Sequence, residues 1–255
     1  MAFAELADRV VIVTGGGGGI GRAICLRLAL EGCGVAILDR DAAGAEDTAA
    51  TVKGRGGRAL AIEVDISDHG GVGHAVRMVE DQLGPIHGLV NNAGWDRLVR
   101  FVDSDPALWR QLIDVNFIGY LNLHHAVLPR MVSRRAGRIV NIASDAGRVG
   151  SSMESVYSAC KGGLIAFSKT IAREHARDGI CVNSVCPGPT DTPLLRQMSE
   201  TAEQGERLVA SLEKAIPLRR LGQPEDYPGI VAFLLSDDAA FITGQTISVS
   251  GGLVM

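Results

Sequence analysis

From end to end the chain repeats one pattern: a short apolar run rich in β-branched residues, a turn that often contains glycine, and a longer amphipathic stretch. The runs read RVVIVT from Arg9, GVAILD from Gly34, RALAIEVD from Arg58, GLVNNAG from Gly88, GRIVNIAS from Gly137, ICVNSVCPG from Ile180 and QTISVSGG from Gln245. Near-continuous apolar strands cannot leave a face in water, and helical stretches between them are what covers both faces of a parallel sheet. The pattern predicts an α/β fold, a doubly wound parallel sheet of about seven strands with helices on both faces. Glycine numbers 32 while aromatics make up only 4%, a combination that suits many tight strand-to-helix turns. The 255 residues show no linker, repeat or low-complexity tract, so a single domain over 1–255 is expected. The one long stretch without a strand lies between Pro187 and Pro224. It reads as a helical excursion, with a substrate lid expected over residues 190–220.

Composition narrows the functional classes. With 46% hydrophobic and 21% charged residues the chain has ample core-forming material. A formal charge of -4 gives no general attraction for phosphate backbones or anionic lipid, which argues against nucleic-acid and membrane partners. No apolar run approaches the roughly 20 residues that span a bilayer. The opening MAFAELADRV carries acids where a signal peptide carries bases, so a cytoplasmic location is expected. Cys25, Cys33, Cys160, Cys181 and Cys186 are odd in number, scattered and without a C-x-x-C, which predicts buried thiols rather than disulfides or a zinc site. His124 and His125 are adjacent in a helical stretch and diverge by about 100°, so no joint metal site is expected of them.

VVIVTGGGGGIGRAICLRLA puts glycines between the first strand and the first helix, where a tight turn lets backbone N–H groups face a ligand phosphate. The run fits two registers, G-x-G-x-x-G through Gly16, Gly18 and Gly21, or T-G-x-x-x-G-x-G through Thr14, Gly15, Gly19 and Gly21; spacing alone does not choose. The G-K-S/T ending of a nucleoside-triphosphate loop is missing. The second strand ends at Asp39, eighteen residues after Gly21, where a dinucleotide site places an acid on the ribose 2'-hydroxyl. A carboxylate accepts from that hydroxyl and repels a 2'-phosphate, so NAD is expected rather than NADP. Arg40, a base that could meet a phosphate, pulls the other way.

YSACK places Tyr157 four residues before Lys161, on one face of a helix. Oxidising an alcohol to a ketone needs a base for the hydroxyl proton and a hydride acceptor across the carbon. A tyrosine with an ordinary pKa of about 10 needs about 4 kcal/mol of preferential phenolate stabilisation to serve near neutral pH. A neighbouring ammonium supplies that sign of shift. Ser144, thirteen residues before Tyr157 at the end of a strand, can hold a substrate oxygen by hydrogen bonding.

In combination these segments resemble the short-chain dehydrogenase/reductase family. The resemblance runs through TGGGGGIG at Thr14, VDIS at Val64, NNAG at Asn91, NFIG at Asn116, NIAS at Asn141, YSACK at Tyr157 and CPG at Cys186. It implies a single-domain Rossmann-type fold and a catalytic set of Asn116, Ser144, Tyr157 and Lys161, with Asn116 organising a water that carries protons from Lys161. It further implies cofactor contacts from Gly15, Gly18, Gly19, Ile20, Gly21, Asp39, Arg40, Asp65, Ile66, Asn91, Ala93, Gly94, Tyr157, Lys161, Pro187, Gly188, Thr190 and Thr192. A homotetramer is also implied, with contacts near Asn116, Tyr157 and the last strand.

Candidate substrate residues lie just beyond the motifs: Trp95, Asp145, Val149, Met153, Gly188 and, in the lid, Leu194 and Met198. Longer strings, including NNAGWD and NIASDAGRVGSS, are similar to members of that family acting on cyclic hydroxyacyl-CoA esters. They imply a small-molecule, CoA-linked substrate such as 2-hydroxycyclohexanecarboxyl-CoA, with Arg97, Arg100, Arg148 and Arg196 as candidates for the pyrophosphate. The alternatives are an NADPH-dependent 3-oxoacyl carrier-protein reductase, a sugar or polyol dehydrogenase, or a non-catalytic dinucleotide-binding sensor.

Overall fold

The structure is a computed structural model that describes residues 3–201 and 205–255. Each apolar run forms a strand, and the segments between them form helices. In chain order these are β1 (Val10–Thr14), α1 (Gly19–Leu30), β2 (Gly34–Asp39), α2 (Ala42–Gly54), β3 (Arg58–Glu63), α3 (His69–Leu83) and β4 (Ile86–Asn91). Then follow α4 (Pro106–Ile113), α5 (Gly119–Arg134), β5 (Gly137–Ile142), α6 (Ala146–Val149), α7 (Ser155–His175) and β6 (Ile180–Pro187). The chain closes with α8 (Pro193–Thr201), α9 (Gly205–Ala215), α10 (Pro228–Leu235) and β7 (Thr246–Val249).

All pairings are parallel, in the order β3-β2-β1-β4-β5-β6-β7. The chain winds outward from β1 to β3, then returns to start again at β4 on the other side of β1. The crevice outside the carboxyl ends of β1 and β4 is therefore the switch point at which open α/β sheets bind ligands.

Alternation along β1 shows why the runs had to be apolar throughout. Val11 and Val13 pack with Ile24 and Leu28 of α1 and Val231 of α10; Val10 and Ile12 pack on the opposite face with Val76 of α3 and Leu123 and Val127 of α5. Burying each such side chain stabilises the fold by about 1.5–3 kcal/mol relative to leaving it exposed. Helix starts follow local chemistry. Asp68 accepts from the Gly70 N–H at the start of α3, and Asp105 accepts from Ala107 and Leu108 N–H where Pro106 opens α4.

Strand ends differ from the sequence expectation. β3 stops at Glu63 and β5 at Ile142, short of Asp65 and Ser144, while β4 begins two residues early at Ile86 and ends at Asn91. Pairing is limited by the neighbour: Glu63 pairs with Asp39, the last residue of β2, and Asn91 with Asn141. The residues left over turn into the crevice. All five cysteines are buried free thiols. No helix of the described residues is long and apolar enough to cross a membrane.

Candidate functional site

A cleft of about 700 Å³ lies outside the carboxyl ends of the strands, lined from the glycine turn through the ends of β2, β4, β5 and β6 to α8 and α9. At its floor the glycine run has one workable register. Gly15 (φ +64°) and Gly19 (φ +49°) sit in the left-handed region, and a Cβ on Gly21 would lie 2.0 Å from the Gly15 carbonyl oxygen. A Cβ on Gly18 would meet nothing within 4 Å. Gly15, Gly19 and Gly21 thus carry the left-handed backbone and the carbonyl contact that demand glycine, which favours the T-G-x-x-x-G-x-G spacing, while a Cβ on Gly16 would press on the Ile37 and Cys25 side chains at 2.9 and 3.0 Å and Gly18 opens onto free space. No side chain caps α1, so the start of that helix faces the cleft with its dipole uncovered.

Asp39 borders the cleft at the end of β2, its carboxylate accepting from the Gly17 N–H at 2.8 Å and the Asp41 N–H at 3.0 Å. Arg22, the first base after the glycine run, is turned away onto Asp47 and Thr48. Arg40 is exposed at the rim. Asp65 and Ile66 border the same end, and Asp65 also accepts from the Ser67 N–H and hydroxyl at 2.9 and 2.7 Å. Ala93, Gly94, Pro187, Gly188, Thr190 and Thr192 continue the wall. The Thr190 hydroxyl donates to the Gly188 carbonyl at 2.8 Å, and Thr192 accepts from the Leu195 N–H at 3.3 Å, steadying the start of α8.

Tyr157 and Lys161 are one turn apart on α7, and both border the cleft. Ser144, just past β5, borders the cleft beside them, and its hydroxyl acts to lower the Tyr157 phenol. Lys161 is 2% exposed; its Nζ lies 5.6 Å from the Tyr157 ring centroid and donates to the Tyr120 hydroxyl at 2.9 Å and the Ile142 carbonyl at 3.1 Å. Burial pulls the ammonium down from 10.5 to about 8. Burial pushes the Tyr157 phenol well above its ordinary value, and the carboxyls of Asp96 and Glu154 push the same way against the Ser144 hydroxyl. The chain's own charges therefore do not make this phenol acidic.

Several expected residues stand elsewhere. Asn116 is fully buried and does not line the cleft: its amide donates to the Trp95 and Leu112 carbonyls at 2.7 and 3.0 Å and accepts from the Trp95 N–H at 3.2 Å. Asn91 faces the interior, where it donates to Asn141 at 2.9 Å, and Asn141 donates to Ser168 at 2.8 Å. Gly21 lies behind the glycine turn rather than on its open side. Met153, expected in the pocket, is 44% exposed and outside the cleft lining, its carbonyl tied to the Val99 N–H at 2.9 Å. Arg148 does not point to the mouth; it donates to Ser248 and to the Met255 carbonyl. Arg196 is paired with Asp191 at 2.9 Å and Arg100 lies 3.9 Å from Asp103, while Arg97 is exposed.

Trp95, Asp145, Val149, Leu194 and Met198 do border the cleft. Of the lid segment, residues 202–204 lie outside the described residues. Sequence reasoning missed Tyr120, Glu154, Leu98, Leu253 and Val254. Tyr120 could have been found, because it follows Asn116 by four residues and Asn116 was already a candidate; Leu253 and Val254 carry no local signal.

The profile of the short chain dehydrogenase family matches residues 9–203. The chain belongs to that family, whose members are oxidoreductases of CH–OH groups using nicotinamide dinucleotides. Among its relatives, acetoacetyl-CoA reductase of Shinella zoogloeoides is 41% identical over 96% of this chain and 98% of its own. The 3-oxoacyl-(acyl-carrier-protein) reductase of Pseudomonas aeruginosa is 38% identical over 98% and 99%. The crystal structure of levodione reductase superposes with a TM-score of 0.93 at 31% identity, covering 96% of this chain and 97% of that one. The cleft fits such a cofactor: the space beside Gly18, the uncapped start of α1 and the Asp39 carboxylate match a pyrophosphate and a ribose.

Proposed function

We propose that the chain is an NAD-dependent dehydrogenase that interconverts a secondary alcohol and a ketone on an acyl thioester, such as 2-hydroxycyclohexanecarboxyl-CoA. The observation that carries the reading is that Tyr157, Ser144 and Lys161 border one cleft, with the Lys161 Nζ 5.6 Å from the Tyr157 ring centroid. Bound NAD supplies the hydride acceptor and, on its nicotinamide ring, the positive charge that lowers a nearby phenol. Gly15, Gly18, Gly19 and Ile20 would hold the pyrophosphate, Asp39 the ribose, Asp65 and Ile66 the adenine, and Thr190 and Thr192 the carboxamide. Asp39 supports NAD because a carboxylate repels a 2'-phosphate.

Ser144 orients the substrate hydroxyl, Tyr157 takes its proton as the carbonyl forms, and the reverse reaction returns it. Lys161, held by Tyr120 and Ile142, offsets the charge on the phenolate. Asn116, fixing the Trp95 backbone beside Gly94, shapes this wall and is assigned to the proton path toward solvent. The helices of residues 193–201 and 205–215 act as a lid through Leu194, Leu195, Met198 and Leu212. A thioester substrate is supported by the similarity to an acetoacetyl-CoA reductase and a 3-oxoacyl-(acyl-carrier-protein) reductase.

A screen of NADH formation with hydroxyacyl-CoA esters, cyclohexanol and sugar alcohols tests the assignment. Preferred turnover of an acyl-CoA, lost by a factor of about a thousand or more in Tyr157→Phe, is the expected result. Turnover surviving in the variant refutes the mechanism, and preference for a polyol refutes the substrate. A second reading, an NADPH-dependent 3-oxoacyl reductase, is favoured by the exposed Arg40 at the rim. Comparable kcat/KM with NADP and NAD would select it.

A further inference from the structure

Asp96 is a carboxyl out of place. It is 4% exposed, and neither of its oxygens makes a hydrogen bond of good geometry. An isolated buried carboxylate is costly, so such a group holds its proton or stands beside another that shares it. Glu154 is that neighbour: it pushes the Asp96 carboxyl up, and it borders the cleft just ahead of Tyr157 on α7. The remaining charged and titratable groups around the pair are Lys161, Tyr157, Cys160 and, next in the chain, the exposed Arg97. The Lys161 ammonium is already bonded to Tyr120 and Ile142. The nearby cleft wall of Trp95, Leu98 and Val149 offers an anion no counter-charge.

We propose that Glu154 on the cleft wall and Asp96 buried behind it form a charge filter beside the Tyr157 phenol, rejecting free hydroxy or oxo acids and admitting their uncharged esters and thioesters. The inference rests on the reading of Tyr157 as acid/base, and it supplies a reason why an acyl substrate would have to arrive esterified. A carboxylate brought beside the pair meets like charge at low dielectric, whereas the ester of the same acid carries none. Burial, then Glu154, pushes Asp96 up to about 8. Asp96 therefore gains its negative charge as pH rises through that value, and rejection of anions strengthens with it.

The test compares kcat/KM for ethyl 2-hydroxycyclohexanecarboxylate with its free acid, and for ethyl 3-hydroxybutanoate with 3-hydroxybutanoate, using the coenzyme that supports turnover. The wild type should favour each ester by about tenfold or more at pH 7, with the ratio widening at pH 9. Glu154→Gln should narrow the ratio, and Asp96→Asn should remove its widening with pH, a readout that general damage to the fold does not move. Should Asp96→Asn fail to fold, the cleft-wall variant Glu154→Gln still decides. A ratio near one in the wild type, a ratio unchanged in Glu154→Gln, or failure to oxidise either ester overturns the filter. Loss of the thioester preference alone overturns the substrate assignment and leaves the ester-to-acid ratio intact, so the two failures are distinguishable.

Discussion

Replacing Lys161 by Met should raise stability while removing turnover. The ammonium is 2% exposed, and burial lowers it from 10.5 to about 8. At about 1.4 kcal/mol for each pH unit, that drop corresponds to about 3 kcal/mol by which folding is penalised when the group is charged. The amine's two hydrogen bonds, to Tyr120 and Ile142, offset about 2 kcal/mol. Methionine keeps the length and loses the charge, and the Tyr120 hydroxyl still donates to Ile142 at 3.1 Å, so no buried group is orphaned. The net expectation is a gain of about 1 kcal/mol at pH 7.

The sign of its pH dependence is fixed. The folded value lies below the unfolded one, so the penalty is fully present below about 8 and is lost as pH rises through 10.5, above which both states are neutral. Urea unfolding of both proteins at pH 7, 8.5 and 10 isolates this difference, because every other titrating group is common to the pair. A variant less stable than wild type at pH 7, or a difference that does not shrink with pH, refutes the reasoning. NADH formation measured alongside should fall by about a thousandfold or more.

Asp39→Ala should weaken NAD by about ten- to a hundredfold, the worth of a hydrogen bond to a charged group, and raise NADP relative to it; steady-state kinetics with both coenzymes checks this. An unchanged coenzyme ratio would remove Asp39 from the ribose. The two kinds of glycine in the loop should separate cleanly. Gly21→Ala, whose Cβ would sit 2.0 Å from the Gly15 carbonyl, should cost about 3 kcal/mol in thermal or urea unfolding. Gly18→Ala, with nothing within 4 Å, should leave stability near wild type while weakening NADH binding in a fluorescence titration.

The fold was legible because its strands are apolar on both faces, a pattern visible in any one segment without knowledge of the others. The Tyr157 and Lys161 pairing was legible for a similar reason: four residues along a helix bring side chains together wherever that helix packs. Asp39 could be read from its distance beyond the glycine turn. What chain order determined, then, was the sheet, the turn and every pairing that one element makes with itself.

Tertiary structure decided the rest. The register of the five-glycine run depended on which glycine touches a carbonyl and which faces free space. Asn91 and Asn92 are neighbours in sequence, yet one turns into the Asn141 network while the other's side chain bonds the Thr14 carbonyl at 3.0 Å. Arg148 looked like a cation for the pocket mouth until β7 brought Ser248 beside it. Lys161 meets Tyr120 across 41 residues, and Glu154, farther still along the chain from Asp96, pushes that carboxyl up. Such partners are chosen by the packing of separate elements, and burial then sets their charge. Neither the distance through space nor the loss of water around a group is written in the order of the residues.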